Sequence, residues 1–403
     1  MSGRSIAGAL LVCSLSACVL AASASGSSRR AAGQVLPVPQ GFVGMVVDEP
    51  VWPDPFIKLP PQLDGMVGAG VQSIRAVFNW SQAQPYPNWR SVPNSERSEF
   101  TDAGGVPTNF TWTDALVKGA AARGLTVLPT VLEAPAWDGI TAPGALDRIP
   151  RSNAPYAAFV KALVKRYGPR GTLWSGVPAS QRQPITMWQI WNEPDLQQFW
   201  PIQPFAPRYV ALLRAARKAI KSVDPSATIV LGGLTDYSWS DLNQIYAVHG
   251  AARLFDVVAL HPYTRYPRGV LTILSFVRNV MNHHGDRAKP LMADEISWPS
   301  SVGKTNHDTG YDFATTEAGQ ADNIARVLPM LARARSALNL LGFYYYDWAG
   351  LERPNALAFE FAGLFRLSDG TFQPKPAYAA FRRGALSLEG CRSKGRSAAD
   401  CVR

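Results

Sequence analysis

Ile185–Thr186–Met187–Trp188–Gln189–Ile190–Trp191–Asn192–Glu193–Pro194–Asp195 reads as a buried strand that ends in an acid. Its first seven residues are mostly apolar, β-branched or aromatic, the composition of a strand covered on both faces. Pro194 cannot donate to a ladder, so the strand stops around Asn192–Glu193. A carboxyl group is thereby delivered to the mouth of a buried sheet, beside a carboxamide and next to Trp191. Held against apolar walls, such a group has a raised pKa and can stay protonated near neutral pH, as a general acid must. In isolation it is most simply an ion-paired glutamate at a strand end. A second carboxylate in a matching setting downstream changes that balance.

Outward from this stretch, strand patterns alternate with helix patterns along the chain. Strands are predicted at Gly41–Val47, Ser73–Phe78, Thr126–Leu132, the central stretch, Thr228–Leu231, Val257–Leu260, Leu291–Ala293 and Leu341–Tyr346. Helices are predicted at Leu63–Gly70, Trp112–Arg123, Pro155–Tyr167, Pro207–Val223, Asp241–His249, Val270–His283, Thr316–Ala337 and Pro376–Leu386. Pro53–Pro61 reads as a proline-rich loop between the first strand and the first helix. Strand–helix alternation repeated in this way predicts an α/β fold with a parallel sheet closed into a (β/α)8 TIM barrel. Polar and aromatic residues gather where these strands end: Arg75 with Asn79–Trp80, Glu133 to Trp137, Asn192–Glu193, His261–Tyr263, Glu295 and Trp348. Barrel enzymes keep their sites on that face.

The chain has 403 residues, 47% of them apolar and 17% charged, enough for a large packed core. Its net charge of +10 is dispersed, with a dense cluster only at Arg392–Arg396. No basic stripe is interleaved with exposed aromatics, which argues against a nucleic-acid partner. Residues 1–24 are expected to be a signal peptide: Arg4, an apolar run to Leu20, and Ala22–Ser23–Ala24 as the cleavage pattern. In the alternative, Leu15–Ser16–Ala17–Cys18 is a lipoprotein box that leaves the protein anchored through Cys18. A secreted protein is the expectation, with residues 25–40 as linker, 41–387 as the barrel and 388–403 as a tail. No later stretch is long and apolar enough to span a membrane. Cys391 and Cys401, in that tail, are expected to pair in an oxidising compartment. No Gly-rich phosphate loop follows a strand and no His/Asp/Glu group has metal-ligand spacing, so neither cofactor nor metal is expected. The oligomeric state is left open.

Glu193 and Glu295 follow the fourth and seventh strands, which places both on one rim of a barrel. Paired carboxyls about 5–5.5 Å apart suit retaining glycoside hydrolysis, one as acid/base and one as nucleophile. At these residues the chain resembles a known group. Trp191–Asn192–Glu193–Pro194 is similar to the acid/base motif of clan A glycoside hydrolases. Asp294–Glu295–Ile296–Ser297–Trp298–Pro299 resembles their nucleophile motif after strand seven. Families 5 and 39, with their cellulase-type barrels, are the nearest in pattern, and the resemblance runs from about Gly41 to Phe381.

That resemblance implies roles for particular residues. Glu193 is implied as acid/base and Glu295 as nucleophile, with Asn192 on the sugar 2-hydroxyl and Arg75 keeping the nucleophile ionised. Tyr263 is implied as a donor to Glu295, with His261 beside it, and Trp348 as the floor beneath the glycone sugar. Each has a plainer alternative: Arg75 as an ion pair at the barrel mouth, His261 as a satisfied histidine, Tyr263 and Trp348 as packing. Trp80, Trp137, Trp200 and Trp298 fall in mouth loops, where their rings are candidates for stacking on sugars. One departure from family 5 is clear, because Glu133 and Trp137 stand where its members usually carry a histidine after strand three. The expected function is therefore a secreted glycosidase acting on a poly- or oligosaccharide. A transglycosylase using the same covalent intermediate and a non-catalytic glycan-binding barrel are the alternatives.

Overall fold

The computed structural model describes residues 38–47, 57–235, 237–305, 312–353 and 356–389. The expected leader with Cys18, most of the linker and the Cys391–Cys401 pair lie outside them. Eight strands make one sheet: β1 (Val43–Val46), β2 (Ser73–Asn79), β3 (Thr126–Leu132), β4 (Met187–Ile190), β5 (Thr228–Leu231), β6 (Val258–Leu260), β7 (Leu291–Ile296) and β8 (Leu340–Tyr345). Hydrogen-bonded neighbours run in the order β6-β7-β8-β1-β2-β3-β4-β5, each pair parallel. Parallel bridges Val230–Val257 and Leu234–Leu260 span the remaining gap between β5 and β6. Between the strands lie α1 (Leu59–Gly68), α2 (Thr111–Ala121), α3 (Asn153–Tyr167), α4 (Phe205–Lys221), α5 (Ser238–Ala247), α6 (Pro267–His283) and α7 (Glu317–Leu338), and after the last strand α8 (Pro376–Glu389). This is the expected (β/α)8 barrel.

Side chains alternate across each strand, so the sheet sorts them into two compartments. Outward residues such as Ile74, Phe78, Trp188, Ile190, Leu260 and Phe343 pack under the helices in one large apolar cluster. Inward residues Val46, Leu128, Val230, Val257, Ala259, Met292 and Tyr344 form a second, smaller one inside the barrel. Toward the C-terminal ends of the strands the same inward rows become polar, with Arg75, Thr130 and Gln189 all buried. The barrel is thus plugged with hydrocarbon at its base and carries charge only where it opens.

Helix boundaries moved where proline or capping chemistry overrides periodicity. Pro60 and Pro61 lie in the first turn of α1, where a missing N–H costs no bond, so the predicted loop is shorter. α4 starts two residues before its predicted Pro207 for the same reason. It buries Phe205, Tyr209, Val210, Leu212, Leu213, Ala216 and Ile220 along one stripe. Thr316 caps α7 by accepting from Gly319 N at 3.1 Å, and Asn339 closes it in the left-handed conformation. Beyond β8 an antiparallel hairpin, Phe365–Ser368 with Thr371–Pro374, pairs with Ala349–Gly350 and precedes α8. Among the described residues no helix is long and apolar enough to cross a membrane.

At Gly44 in β1 a Cβ would lie 2.4 Å from the Tyr344 ring and 2.7 Å from the Phe343 carbonyl oxygen. The carbonyl belongs to the sheet ladder and cannot retreat. Gly44→Ala is therefore expected to lower stability by about 1–3 kcal/mol. Urea unfolding measures this, and an unchanged midpoint would show that the barrel interior has slack here.

Candidate active site

Glu193 sits on a contorted segment. Trp191 and Glu193 both adopt left-handed backbone, at φ 70° and 43°, a conformation that side chains other than glycine rarely take. Surrounding contacts hold it. Tyr209, from α4, donates its hydroxyl to Ile190 O at 2.9 Å and accepts from Gly232 N at 2.7 Å. Glu193 N donates to Gly233 O at 3.0 Å, and Asp195 Oδ2 accepts from both the amide and the hydroxyl of Thr235. The acid-bearing turn is thus fastened to the end of β5 at several points.

Glu295 arrives through an irregularity in β7. Ala293 pairs with Phe343 and Ile296 with Tyr345, so Asp294 and Glu295 together oppose the single residue Tyr344. This extra residue is a β-bulge, a device that re-aims side chains. By strict alternation these two neighbours would face opposite ways, yet both reach Arg75 inside the barrel, at 3.3 Å and 2.7 Å. Arg75 also donates to Gln189 Oε1 at 2.8 Å and to Asn192 Oδ1 at 2.6 Å. The second oxygen of Glu295 accepts from Tyr263 OH at 2.6 Å. Phe313 stacks on the Tyr263 ring and Phe359 meets it edge-on, at 5.1 and 5.2 Å between centroids, fixing its direction.

His261 lies fully buried between the two glutamates. Its Nδ1 is 2.6 Å from Glu193 Oε1, and its Nε2 is 3.4 Å from Glu295 Oε1 and 3.5 Å from Asp294 Oδ2. Burial pushes the Glu193 carboxyl up to about 7, against the opposing hydrogen bond from His261. Burial alone would lower His261, but Glu295 and Asp294 raise it well above the ordinary histidine value. Asp294 is held below its ordinary value by His261 and Arg75 despite complete burial.

Glu193, His261 and Glu295 each bring one donor atom within 4.8 Å of the others, a spacing that would also admit a metal ion. The hydrogen bonds speak against that use. Both oxygens of Glu295 are already engaged, and the Arg75 guanidinium supplies a positive charge at 2.7 Å where a metal would need the carboxylate to itself.

Of the predicted site residues, Arg75, Asn192, Glu193, His261, Tyr263 and Glu295 converge here. The tryptophans do not. Trp200 is 1% exposed and packs edge-on against Trp191 and Tyr209, while Trp298 is 0% exposed and donates to Thr264 O. Trp348 is 2% exposed, wedged against Phe365 and Tyr378 with its indole N–H on Gln62 of α1. Trp348 is consequently core and not a floor. Trp80 is likewise buried, against Tyr156, Phe159 and Trp137. Trp137 stays half-buried, with its N–H on Gln84 O. The large rings exposed in the loops after β5 and β6 are Tyr237 and Tyr266, which sequence reasoning passed over.

It also passed over Gln189, Asp294 and Asp147. A glutamine inside an apolar strand was a readable signal; Asp294 was concealed by the bulge. Asp147 belongs to the hairpin of Gly139–Ile140 with Ile149–Pro150, whose residues Leu146 and Asp147 donate to Gln198 O in the loop after β4. Burial, with Glu133 and Glu193 nearby, raises its carboxyl to about 7. Glu133, where family 5 would place a histidine, accepts from Arg148 N at 2.9 Å and pairs with the Arg148 guanidinium at 3.2 Å, tying that hairpin to β3.

Solved structures share this architecture. The chain superposes on a family 39 glycoside hydrolase from Bacteroides cellulosilyticus WH2 with a TM-score of 0.60 at 19% identity, covering 88% of this chain and 65% of that one. A glucosidase from Croceicoccus marinus gives 0.61 at 18% identity, with 88% and 69% covered. The GH53 catalytic domain of Ignisphaera aggregans gives 0.56 at 19% identity, with 89% and 98% covered. The fold is the one these glycoside hydrolases share. The chain thus spans about two thirds of the first two proteins and nearly all of the third. No protein-family model matches the sequence, and no curated protein does.

A Cβ at position 233 would fall 2.0 Å from His261 Nε2. Gly233→Ala should therefore leave the barrel folded but expel the imidazole from between the glutamates. Histidine-selective ¹⁵N labelling reads this directly; a His261 resonance identical to that of the unaltered protein would contradict the packing described.

Proposed function

We propose that the protein is a retaining glycoside hydrolase, exported from the cell, that cleaves O-glycosidic bonds of a poly- or oligosaccharide by double displacement. The observation that carries this reading is the convergence of Glu193 and Glu295 within 4.8 Å of each other, one in a setting that favours the proton and one on a cation. So short an approach leaves no place for the water that an inverting pair must hold between carboxyls about 6.5–9.5 Å apart.

In the first step Glu295 attacks the anomeric carbon while Glu193 gives its proton to the departing oxygen, forming a glycosyl ester and a Glu193 carboxylate. In the second, Glu193 takes a proton from water as the oxygen of that water attacks the same carbon, releasing Glu295. Arg75 and Tyr263 orient the nucleophile and bear its charge as it returns. Asn192 Oδ1 accepts from Arg75, which leaves its amide nitrogen to donate to a sugar hydroxyl beside the anomeric centre. An acceptor sugar in place of water would make the same enzyme a transglycosylase, which product analysis with added acceptor separates. The structural neighbours support a carbohydrate substrate; export is supported by the leader-like start of the sequence.

A panel of aryl glycosides and plant, fungal and bacterial polysaccharides identifies a substrate. On it, Glu193→Ala is expected to lower turnover by roughly 10²–10⁴-fold. Glu295→Ala should be inactive until azide is added, and should then yield a glycosyl azide of inverted configuration. Wild-type-like rates in either variant would overturn the assignment. The pH profile is a further check: Glu193 must carry its proton, so activity should fall as pH rises through about 7. A plateau continuing well above that pH would remove Glu193 from the acid role.

A further inference from the structure

A third buried carboxylate lies behind the glutamate pair, and neither step of the proposed reaction uses it. Asp294 is 0% exposed. It accepts from Gln189 Nε2 at 2.5 Å and lies 3.3 Å from Arg75 Nε and 3.5 Å from His261 Nε2. Gln189 is held in turn, its carbonyl oxygen accepting from Arg75 and from Thr130 Oγ1. The bulge in β7 is what brings Asp294 to this place. Without the extra residue, one of Asp294 and Glu295 would face the helices.

We propose that Asp294 is a positioning residue that keeps His261 as an imidazolium between Glu193 and Glu295 throughout turnover. Charge balance carries the inference. The titratable groups facing His261 are Glu193 and Asp195 from the loop after β4, Asp294 and Glu295 from β7, and the edge-on Tyr263 ring, while Arg75 from β2 pairs with Asp294 and Glu295. Asp195 is engaged with Thr235 at the edge of this group. At the centre, two anions, Asp294 and Glu295, face one permanent cation, Arg75. A second cation completes a neutral set, and His261 is the group within reach. Glu193 then remains a neutral acid.

The same set stays balanced when chemistry proceeds. On ester formation Glu295 loses its charge and Glu193 gains one, while Arg75, His261 and Asp294 keep theirs. A protonated His261 donates from Nδ1 to Glu193 Oε1 in both states, leaving the other oxygen to carry the transferred proton. The direction of the His261 shift, set against its burial by Glu295 and Asp294, agrees with this arrangement.

The role in turnover rests on the glycosidase reading, but the protonation state can be measured without a substrate. The chain has five histidines, few enough for histidine-selective ¹⁵N labelling to resolve each ring. In the unaltered protein both nitrogens of His261 should read as protonated through about pH 8, above the ordinary range of the imidazole. In Asp294→Asn the ring should pass to a neutral tautomer within about pH 5–8. With the imidazolium gone, the alkaline limb of activity should move to higher pH, since Glu193 has lost a neighbouring cation. A neutral His261 in the unaltered protein at pH 7 overturns the proposal outright, whether or not the variant folds. A variant with unchanged His261 protonation overturns it as well. If the protonation pattern holds and no glycoside is turned over, the charge assignment stands and the reading of the site fails; active protein with a neutral His261 gives the reverse.

Discussion

Everything at the mouth of this barrel is arranged around one guanidinium. Arg75 is 1% exposed, and its donors reach Gln189, Asn192 and Glu295, with Asp294 in ion-pair range. A buried cation without partners would cost several kcal/mol, and a buried carboxylate likewise. Together they are tolerable only if the fork geometry is met, and meeting it draws side chains from β2, β4 and β7 to one point. The planar fork of arginine suits this as a lysine would not. The placing of Glu295 is in this sense a by-product of satisfying Arg75.

Around that centre the fold supplies rigidity in layers. Hydrocarbon fills the barrel base, so the polar layer has no room to sink. The Tyr209 hydroxyl bridges the ends of β4 and β5, and Phe313 with Phe359 fixes the direction of Tyr263. Left-handed backbone at Glu133, Trp191 and Glu193 is concentrated at the same face. Strain of this kind persists only where neighbouring contacts over-determine it, and here they do.

The aromatic residues placed after the strands met different fates. A tryptophan after a barrel strand looks like a platform, but whether its ring reaches the opening depends on what the surrounding helices and loops need to bury. Trp200, Trp298 and Trp348 all went to packing. Half-buried Trp137 and exposed Tyr237 and Tyr266 are rings that stay at the surface after β3, β5 and β6, a less continuous lining than the sequence implied.

The strand–helix alternation, the barrel, and the rim that carries Arg75, Asn192, Glu193, His261, Tyr263 and Glu295 were legible in the amino-acid order. Each depends on local pattern: buried β-branched runs, proline stops, and polar residues placed just past them. Asp294 was not legible, because alternation assigns adjacent residues to opposite faces and only an extra residue in the β7–β8 register places it with Glu295. Nor was the burial of Trp348, which α1, Phe365 and Tyr378 decide together from positions far apart in the chain. Local order determined which residues stand at the strand ends. Register and packing, which arise only when distant segments meet, decided which way they point.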